Sequence, residues 1–263
     1  MPAGLFRLSD IAIFLLLSSG AVVISIIAIF LVKKCIAIDF RYKDNGVIAN
    51  TSSLINMLYG VLAGLTALYL INNNSYTTDA VQHEASAVAN VYRESQYLQG
   101  PKQMDIKAEI ANYLNTVIHV EWPAMNMGQH INDDGDHIID RISADIHASL
   151  HTNINQVMIA NNLLSEINIL YNARHQRIQM SYAQLDPEIW IVVILGTILT
   201  LCINYLFGMN FYLHIFTVSA AALMASSMLF LLVSLDRPFQ GEFIIEPTVF
   251  QELLDQIQKK PIY

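Results

Sequence analysis

The sequence has 263 residues, of which 54% are hydrophobic and only 14% are charged, and its mean hydropathy is positive. An average soluble domain is about 25% charged, so this composition excludes an ordinary soluble enzyme and indicates a membrane protein. The formal net charge of −8 argues against nucleic acid as a partner, and the two cysteines are too few for a disulfide framework or a four-cysteine zinc site.

Two uncharged segments in the N-terminal part predict membrane-spanning helices. Residues 11–32 hold no charged side chain, and a helix of this length crosses a hydrocarbon core of roughly 30 Å. The segment is too long for the core of a signal peptide and is followed by Lys33 and Lys34, so we interpret it as a retained anchor. The second uncharged run covers residues 54–71. Residues 1–71 are therefore predicted to form two transmembrane helices joined by a short basic loop.

A polar insert follows at residues 72–188 and is expected to face water. It carries 14 of the 22 acidic residues but only 6 of the 14 basic ones, so its own net charge is −8. Apolar residues recur at helical spacing, and Glu84 lies on the stripe that continues out of the second span. The pattern predicts an acidic helical domain, with helices up to about residue 98 and over 104–120, 136–151 and 155–184.

The C-terminal part predicts a helical hairpin in the membrane and a short tail. The uncharged run at 189–206 and the run at 211–235, which is interrupted only by His214, are joined by four residues, which forces the two helices to be antiparallel. Asp186 is the predicted N-cap of the third span, with Pro187 at its first position. Residues 236–263 form a tail with a short amphipathic helix at 248–259. The predicted fold class is an all-α membrane protein, with four transmembrane helices and a large helical soluble insert between spans 2 and 3.

Several short motifs resemble one family of bacterial membrane proteins. These are Leu58-Tyr59-Gly60-Val61-Leu62, Glu121-Trp122-Pro123-Ala124, Ala173-Arg174 and Leu235-Asp236-Arg237-Pro238-Phe239-Gln240-Gly241. The chain resembles the bestrophin-like family over roughly residues 52–254. The resemblance implies a distant relation to bestrophins, which are oligomeric anion channels, pentameric in known cases, with a pore lined by the second span. It also implies a multi-pass protein of the bacterial inner membrane whose partners are the lipid bilayer, further copies of the chain and inorganic ions, and it implies no cofactor.

Small residues follow one side of the second span. The candidate pore-lining residues are Asn56, Gly60, Ala63, Gly64 and Ala67, with Asn74 where the helix reaches water. Glycine and alanine four residues apart allow helices to approach closely. The stripe therefore indicates either plain helix packing or an oligomer axis with a pore gated by a hydrophobic constriction.

Three charged or aromatic motifs are further candidates, and two of them have both a structural and a functional interpretation. Arg174 and Arg177 are three residues apart on one helix, so they either steer anions to an entrance or contact lipid headgroups. Asp236-Arg237-Pro238 is predicted to be a structural lock after the fourth span, and Arg237 is a candidate anion contact. Glu121-Trp122-Pro123 is predicted to bend or end the helix and to supply an aromatic anchor.

A cluster of histidine and aspartate residues in the insert suits a divalent cation by residue type alone. Its members are His130, Asp133, Asp134, Asp136, His137, Asp140, His147 and His151. Gly135 fits no EF-hand register, and no glutamate follows His147 as in a zinc-protease helix. We therefore expect a solvated acidic face and no metal site, and the sequence contains no signature of an enzyme.

Three functions stay open on the sequence. The first is an ion channel with a pore along the symmetry axis, lined by the second span and anion-selective by kinship. The second is a cation-selective channel, which the acidic insert favours because a negative vestibule raises the local concentration of cations. The third is a membrane-anchored sensor or scaffold without transport activity. The first loop contains four basic residues, Lys33, Lys34, Arg41 and Lys43. The positive-inside rule therefore favours a cytoplasmic first loop and a periplasmic insert, although the soluble helices of bestrophins are cytosolic.

Overall fold

The computed structural model describes residues 10–35, 44–99, 102–148, 154–240 and 244–259, and these ranges contain helices and no strands. The α-helices are α1 (Asp10–Cys35), α2 (Asn45–Ser95), α3 (Lys102–Thr116), α4 (Trp122–Asn126), α5 (Asp134–Ala148), α6 (Ile154–Tyr182), α7 (Pro187–Tyr205), α8 (Phe211–Leu235) and α9 (Thr248–Lys259). A π-helical turn, Val117–Glu121, joins α3 to α4.

Four segments are long and apolar enough to cross a membrane. They are Ile11–Val32, Asn45–Ser95, Ile154–Tyr205 and Phe211–Leu235. The third segment includes α6 and α7, and its long uncharged run lies in α7. The predicted all-α membrane fold with four spans is confirmed.

The described residues fall into two compact units. Unit 1 comprises the residues up to Asn72 and Gln184–Arg237, whereas unit 2 comprises Asn73–Ala183, Pro238–Gln240 and the residues from Ile244 onward. The tail residues Pro238–Gln240 and those described from Ile244 onward therefore belong to unit 2.

Unit 1 contains the apolar helices. Helix α1 packs against α8, and α7 and α8 form the predicted antiparallel hairpin. A small core joins Leu70 of α2 to Val193 of α7 and Leu232 of α8. The Asn45 side chain accepts a hydrogen bond from the Gly208 N–H (2.8 Å) and donates one to the Gly208 carbonyl (2.7 Å), which fastens the start of α2 to the hairpin loop.

Unit 2 has its own, larger core. It combines apolar side chains from the second part of α2, from α3 to α6 and from α9. Phe239 and Phe250 of the tail are both buried in this core. The short C-terminal helix is therefore held by the same apolar cluster as the insert.

The prediction that Glu121-Trp122-Pro123 ends the helix is wrong, because the helical path continues to Asn126. The Trp122 N–H bonds to the Val117 carbonyl, which is the wider i→i−5 pattern of a π-turn. Pro123 then falls in the first turn of α4, where its missing N–H costs nothing. The predicted N-cap position of Asp186 is confirmed, but its side chain caps no N–H group.

Candidate functional site

The exposed small-residue face of α2 consists of Asn56, Gly60 and Gly64. All three are exposed in unit 1. A Cβ atom built on either glycine meets no atom within 4 Å apart from the neighbouring backbone of α2 itself, so both positions border open space. The Asn56 side chain donates a hydrogen bond to the Ser52 hydroxyl (3.3 Å) on the preceding turn. This face can therefore receive a neighbouring helix, or border a water-filled path, without a change inside the protomer.

The two alanines of the predicted pore set lie elsewhere. Ala63 and Ala67 are only 2% and 8% exposed, and Ala67 packs in the small core of unit 1 with Val193 and Leu232. The prediction that they share an open face with the glycines is wrong, because this side of α2 is turned toward its own protomer. Asn74 is half-buried, and its backbone carbonyl accepts a hydrogen bond from the Thr78 hydroxyl (3.0 Å).

Unit 2 encloses a cluster of charged side chains, called here the ionic cluster. Its members are Glu84, Tyr113, Glu121, Asp136, Arg174 and Arg177. Four separate helical elements and the π-turn contribute to it. The four side chains of Glu84, Glu121, Arg174 and Arg177 are at most 2% exposed.

Arg177 is the centre of the ionic cluster. Its Nε donates to Glu84 Oε2 (2.5 Å), and its Nη2 donates to Glu84 Oε1 (3.1 Å) and to Glu121 Oε2. The Tyr113 hydroxyl donates a further hydrogen bond to Glu84 Oε1 (2.7 Å). One guanidinium group thus binds two carboxylates from elements that are far apart in the sequence.

Arg174 extends the ionic cluster by one helical turn. Its Nη2 donates to Glu121 Oε1 (2.8 Å), and its Nη1 donates to Asp136 Oδ1 (2.7 Å). A Cβ atom on Gly135 would stand 2.5 Å from both Arg174 Nε and Glu121 Oε1, which leaves no room for a side chain there. Gly135 therefore allows α5 to approach the two charges closely.

The electrostatic effects follow from burial and pairing. Burial by itself raises the pKa of Glu121, but the charges of Arg177 and Arg174 outweigh it, and the pKa lies below its usual range. Burial by itself lowers the pKa of Arg177, but the charges of Glu84 and Glu121 raise it by more, so the pKa lies above its usual range. Burial and the Glu84 charge raise the pKa of the Tyr113 hydroxyl. Glu121 and Arg177 therefore stay charged at neutral pH, and the Tyr113 hydroxyl stays protonated.

The burial of Arg174 and Arg177 corrects their predicted role. Neither guanidinium faces solvent or lipid headgroups, so neither is an entrance charge. Glu84, the partner of Arg177, was not among the predicted site residues, although a carboxylate on an apolar helical stripe is a signal of a buried ion pair.

Trp122 is a core residue of unit 2. Its Nε1–H donates to the Ile245 carbonyl (3.0 Å), and its ring meets Phe239 and Phe250 edge to face at centroid distances of 5.5 and 5.6 Å. The Arg177 guanidinium lies 5.5 Å from the ring centroid. The predicted aromatic anchor is therefore wrong, because every one of these contacts is internal.

Asp236 fastens the end of α8 to the start of α7 within unit 1. Its Oδ1 accepts the Leu185 N–H (2.6 Å), and its Oδ2 accepts the Trp190 Nε1–H (3.2 Å). Arg237 is half-buried beside it. The Pro238 carbonyl accepts the Ile245 N–H (3.0 Å) within unit 2. Asp236 thus connects the end of α8 to the start of α7, and Pro238 connects the start of the tail to Ile245.

The predicted acidic face of the insert includes one member of the ionic cluster, Asp136. Among the residues that the structure describes, no group of three or more His, Cys, Asp or Glu side chains could hold a metal ion. His151 lies outside the described residues.

Comparison with known proteins identifies one family. A family model described as a Bestrophin-like domain matches residues 19–250. A solved structure of a bacterial bestrophin homolog from Klebsiella pneumoniae is similar, with 12% identity, a TM-score of 0.70, and coverage of 95% of this chain and 100% of that chain. A single-residue variant of that homolog gives 12% identity, a TM-score of 0.68, and coverage of 96% and 100%. No curated protein sequence matches this chain. At this identity the solved structures show the common fold.

Proposed function

This chain belongs to the bestrophin-like family, and from that membership we propose that it is a subunit of an oligomeric, anion-selective ion channel in the bacterial inner membrane. The observation that carries the proposal is the family match over residues 19–250, together with the four-span helical fold. Both support an ion channel, and family membership fits a protein that is not an enzyme.

The pore in this proposal runs along the symmetry axis, because four spans per subunit leave little room for a path inside one protomer. Asn56, Gly60 and Gly64 line it, since they combine exposure with open space on the helix that the family uses. Asn74 marks its polar end. Ala63 and Ala67 are not retained as pore-lining residues, because they are buried in the protomer. Kinship leads us to expect a pentamer.

A cation-selective channel is the second candidate, and the charge of the insert favours it. Two of the 14 acidic and two of the 6 basic residues of the insert are buried and cancel in the ionic cluster. The remaining 12 acidic and 4 basic side chains keep the surface at −8. A negative surface near a pore raises the local concentration of cations.

Ion flux in liposomes tests the proposal. Purified protein is reconstituted, and chloride and potassium fluxes are followed with ion-sensitive dyes under opposite gradients. We expect chloride flux that exceeds potassium flux. Potassium flux alone would contradict anion selectivity in favour of the second candidate. The absence of both fluxes would contradict the channel and leave a membrane-anchored sensor or scaffold.

A pair of substitutions tests the pore face. We expect Gly64→Trp to reduce flux to near background, because the indole fills the open space beside the glycine. Leu65→Trp is the matched control, since Leu65 is 62% exposed and points about 100° away around the helix. Equal effects of the two substitutions, or a solubilised particle with a single subunit, would contradict the axial pore.

We also propose that the insert is periplasmic. The first loop holds four basic residues. Four others, Arg7, Arg174, Arg177 and Arg237, lie near span ends on the side of the insert, but Arg174 and Arg177 are buried in ion pairs and are not counted. The positive-inside rule then favours a cytoplasmic first loop. Alkaline phosphatase fused after Tyr263 is expected to be active. Fluorescence of a green fluorescent protein fusion at the same point, together with an inactive phosphatase fusion, would show instead that the insert is cytoplasmic.

A further inference from the structure

We propose that unit 1 binds one small, neutral molecule with an apolar body and a single oxygen, an aliphatic alcohol in its simplest form, in a cavity between α1, α7 and α8. The cavity has a volume of about 240 Å³, and all of its lining residues belong to unit 1. The inference does not depend on the proposed channel function, because its readout is the binding of the small molecule.

Small side chains on α1 and α8 leave the space for this cavity. Ala21 and Ser25 are one turn apart on α1, and they line the cavity together with Ala222 and Ala225 of α8. Small residues let two membrane helices approach closely, and α1 and α8 pack against each other. Leu201 of α7 forms part of the remaining wall. Each of the three helices therefore contributes one stripe of its surface to the cavity.

The cavity lies near the middle of the spans. Its lining residues on α1 fall within 17–25, which is at least six positions from either end of the span at 11–32, or about 9 Å along the helix axis. Leu17 and Ile24 of this lining are 37% and 67% exposed, so the cavity is reached from the outer surface of the spans. A bound molecule is therefore at the depth of the hydrocarbon core, away from the lipid headgroups. Two edge-to-face aromatic pairs join α1 to α8 on either side of this stretch, Phe14–Phe230 and Phe30–Phe211.

Ser25 offers a hydrogen-bond donor to this cavity. It is 1% exposed, and its Oγ accepts a hydrogen bond from the Tyr205 hydroxyl (3.0 Å). Within the part of the chain that the structure describes this is its only hydrogen bond, so its own O–H has no acceptor there. A helical hydroxyl commonly donates to the carbonyl one turn earlier, as Thr197 of the same cavity does to Val193 (2.9 Å). Because an unpaired donor in hydrocarbon is costly, the Ser25 hydroxyl is placed to bind an oxygen of the ligand.

The lining determines the chemical class of the ligand. No charged residue is among the described residues that line the cavity, and an ion in hydrocarbon is costly, so the ligand is neutral. An engineered apolar cavity of about 150 Å³ in another protein binds benzene, so the larger volume here accepts an apolar body of roughly eight carbon atoms. One oxygen on that body completes the hydrogen bonding of Ser25. Octanol has both features, whereas octane has only the apolar body.

Photolabelling in liposomes tests the site. The full-length protein is reconstituted and irradiated with an eight-carbon alcohol that carries a diazirine, and the labelled residues are located by mass spectrometry. We expect saturation at one label per protomer, on residues that line the cavity. Octanol is expected to protect against labelling about three- to tenfold better than octane, which is the effect of one neutral hydrogen bond. Equal protection by the two compounds, or labels spread over exposed residues outside the cavity, would overturn the proposal.

A pair of serine variants tests the hydrogen bond. Ser25→Ala removes the donor and is expected to weaken protection by octanol about three- to tenfold, while protection by octane stays the same. Ser19→Ala is the matched control, because Ser19 is an exposed residue of the same helix that does not line the cavity. Its hydroxyl already donates to the Leu15 carbonyl (2.6 Å). Equal effects of the two substitutions would contradict the role of Ser25.

A pair of leucine variants tests the cavity itself. Leu201→Trp fills the space and is expected to abolish saturable labelling. Leu199→Trp is expected to leave labelling unchanged, because Leu199 is 47% exposed on the same helix and lies outside the lining. If Leu201→Trp does not fold, the comparison of octanol with octane and the serine pair decide the question. Saturable labelling that persists in a folded Leu201→Trp protein would rule out this cavity as the site.

Discussion

Replacement of Arg177 by methionine is expected to lower the free energy of unfolding of unit 2 by about 3–5 kcal/mol, the usual cost of breaking a buried ion pair. The substitution keeps most of the side-chain volume but removes the guanidinium. Glu84 then loses both charged hydrogen bonds and retains only the Tyr113 hydroxyl, while Glu121 retains Arg174. The destabilisation arises mainly from a buried carboxylate without a countercharge.

Denaturant titration in detergent measures this effect. A Trp190→Phe background leaves Trp122 as the only tryptophan of the 263-residue chain, so its fluorescence reports on unit 2. Arg141→Met is the matched control, because Arg141 and its partner Glu109 are 51% and 25% exposed. An exposed pair contributes at most about 1 kcal/mol. Equal losses in the two variants would show that the buried cluster contributes no more than a surface pair.

Acid provides a second readout of the same substitution. The pKa of Glu121 is lowered in the folded state, so its contribution to stability is fully present above the ordinary glutamate pKa and is lost as the pH falls through the lowered value. In Arg177→Met, Glu121 keeps only Arg174 as a countercharge, so its pKa is lowered less and less of its contribution to stability remains to be lost in acid. The stability difference between wild type and variant is therefore expected to shrink below about pH 4. A difference that stays constant down to pH 3 would contradict the electrostatic explanation.

Replacement of Trp122 by alanine is expected to lower the free energy of unfolding of unit 2 by about 3–5 kcal/mol, the range for a large aromatic side chain removed from a core. The indole is 2% exposed and contacts Phe239 and Phe250 of the C-terminal tail. Its loss leaves a cavity and an unpaired Ile245 carbonyl. The tail is expected to loosen first, because two of its core contacts are with this ring.

Far-UV circular dichroism in detergent measures this loss, and Trp190 fluorescence reports separately on unit 1. Tyr97→Ala is the control, since Tyr97 of unit 2 is 62% exposed and surface substitutions usually change stability by less than about 0.5 kcal/mol. Proteolysis of the tail at a temperature where wild type is resistant gives an independent measurement. If Trp122→Ala left the stability of unit 2 unchanged and altered only the dependence of the protein on lipid composition, Trp122 would be a membrane anchor after all.

Local features of the sequence were sufficient to predict the helices of the fold. Long uncharged runs predicted the spans, because a charged side chain in hydrocarbon is costly wherever the helix packs. The four-residue connection at 207–210 predicted the hairpin, because so short a link allows no other path. The insert helices followed from apolar periodicity, although the π-turn before Trp122 extended one of them beyond the predicted break.

The sequence alone determined which residues share a face of each helix, and only the tertiary structure decided what each face meets. Periodicity placed Arg174 and Arg177 one turn apart, yet the partner of Arg177 is Glu84, 93 positions earlier in the chain. It likewise grouped Ala63 with Gly64 on α2, although packing buries one and exposes the other. The physical reason is that helical geometry is set by neighbours within four residues, whereas burial and ion pairing depend on helices that only the folded chain brings together.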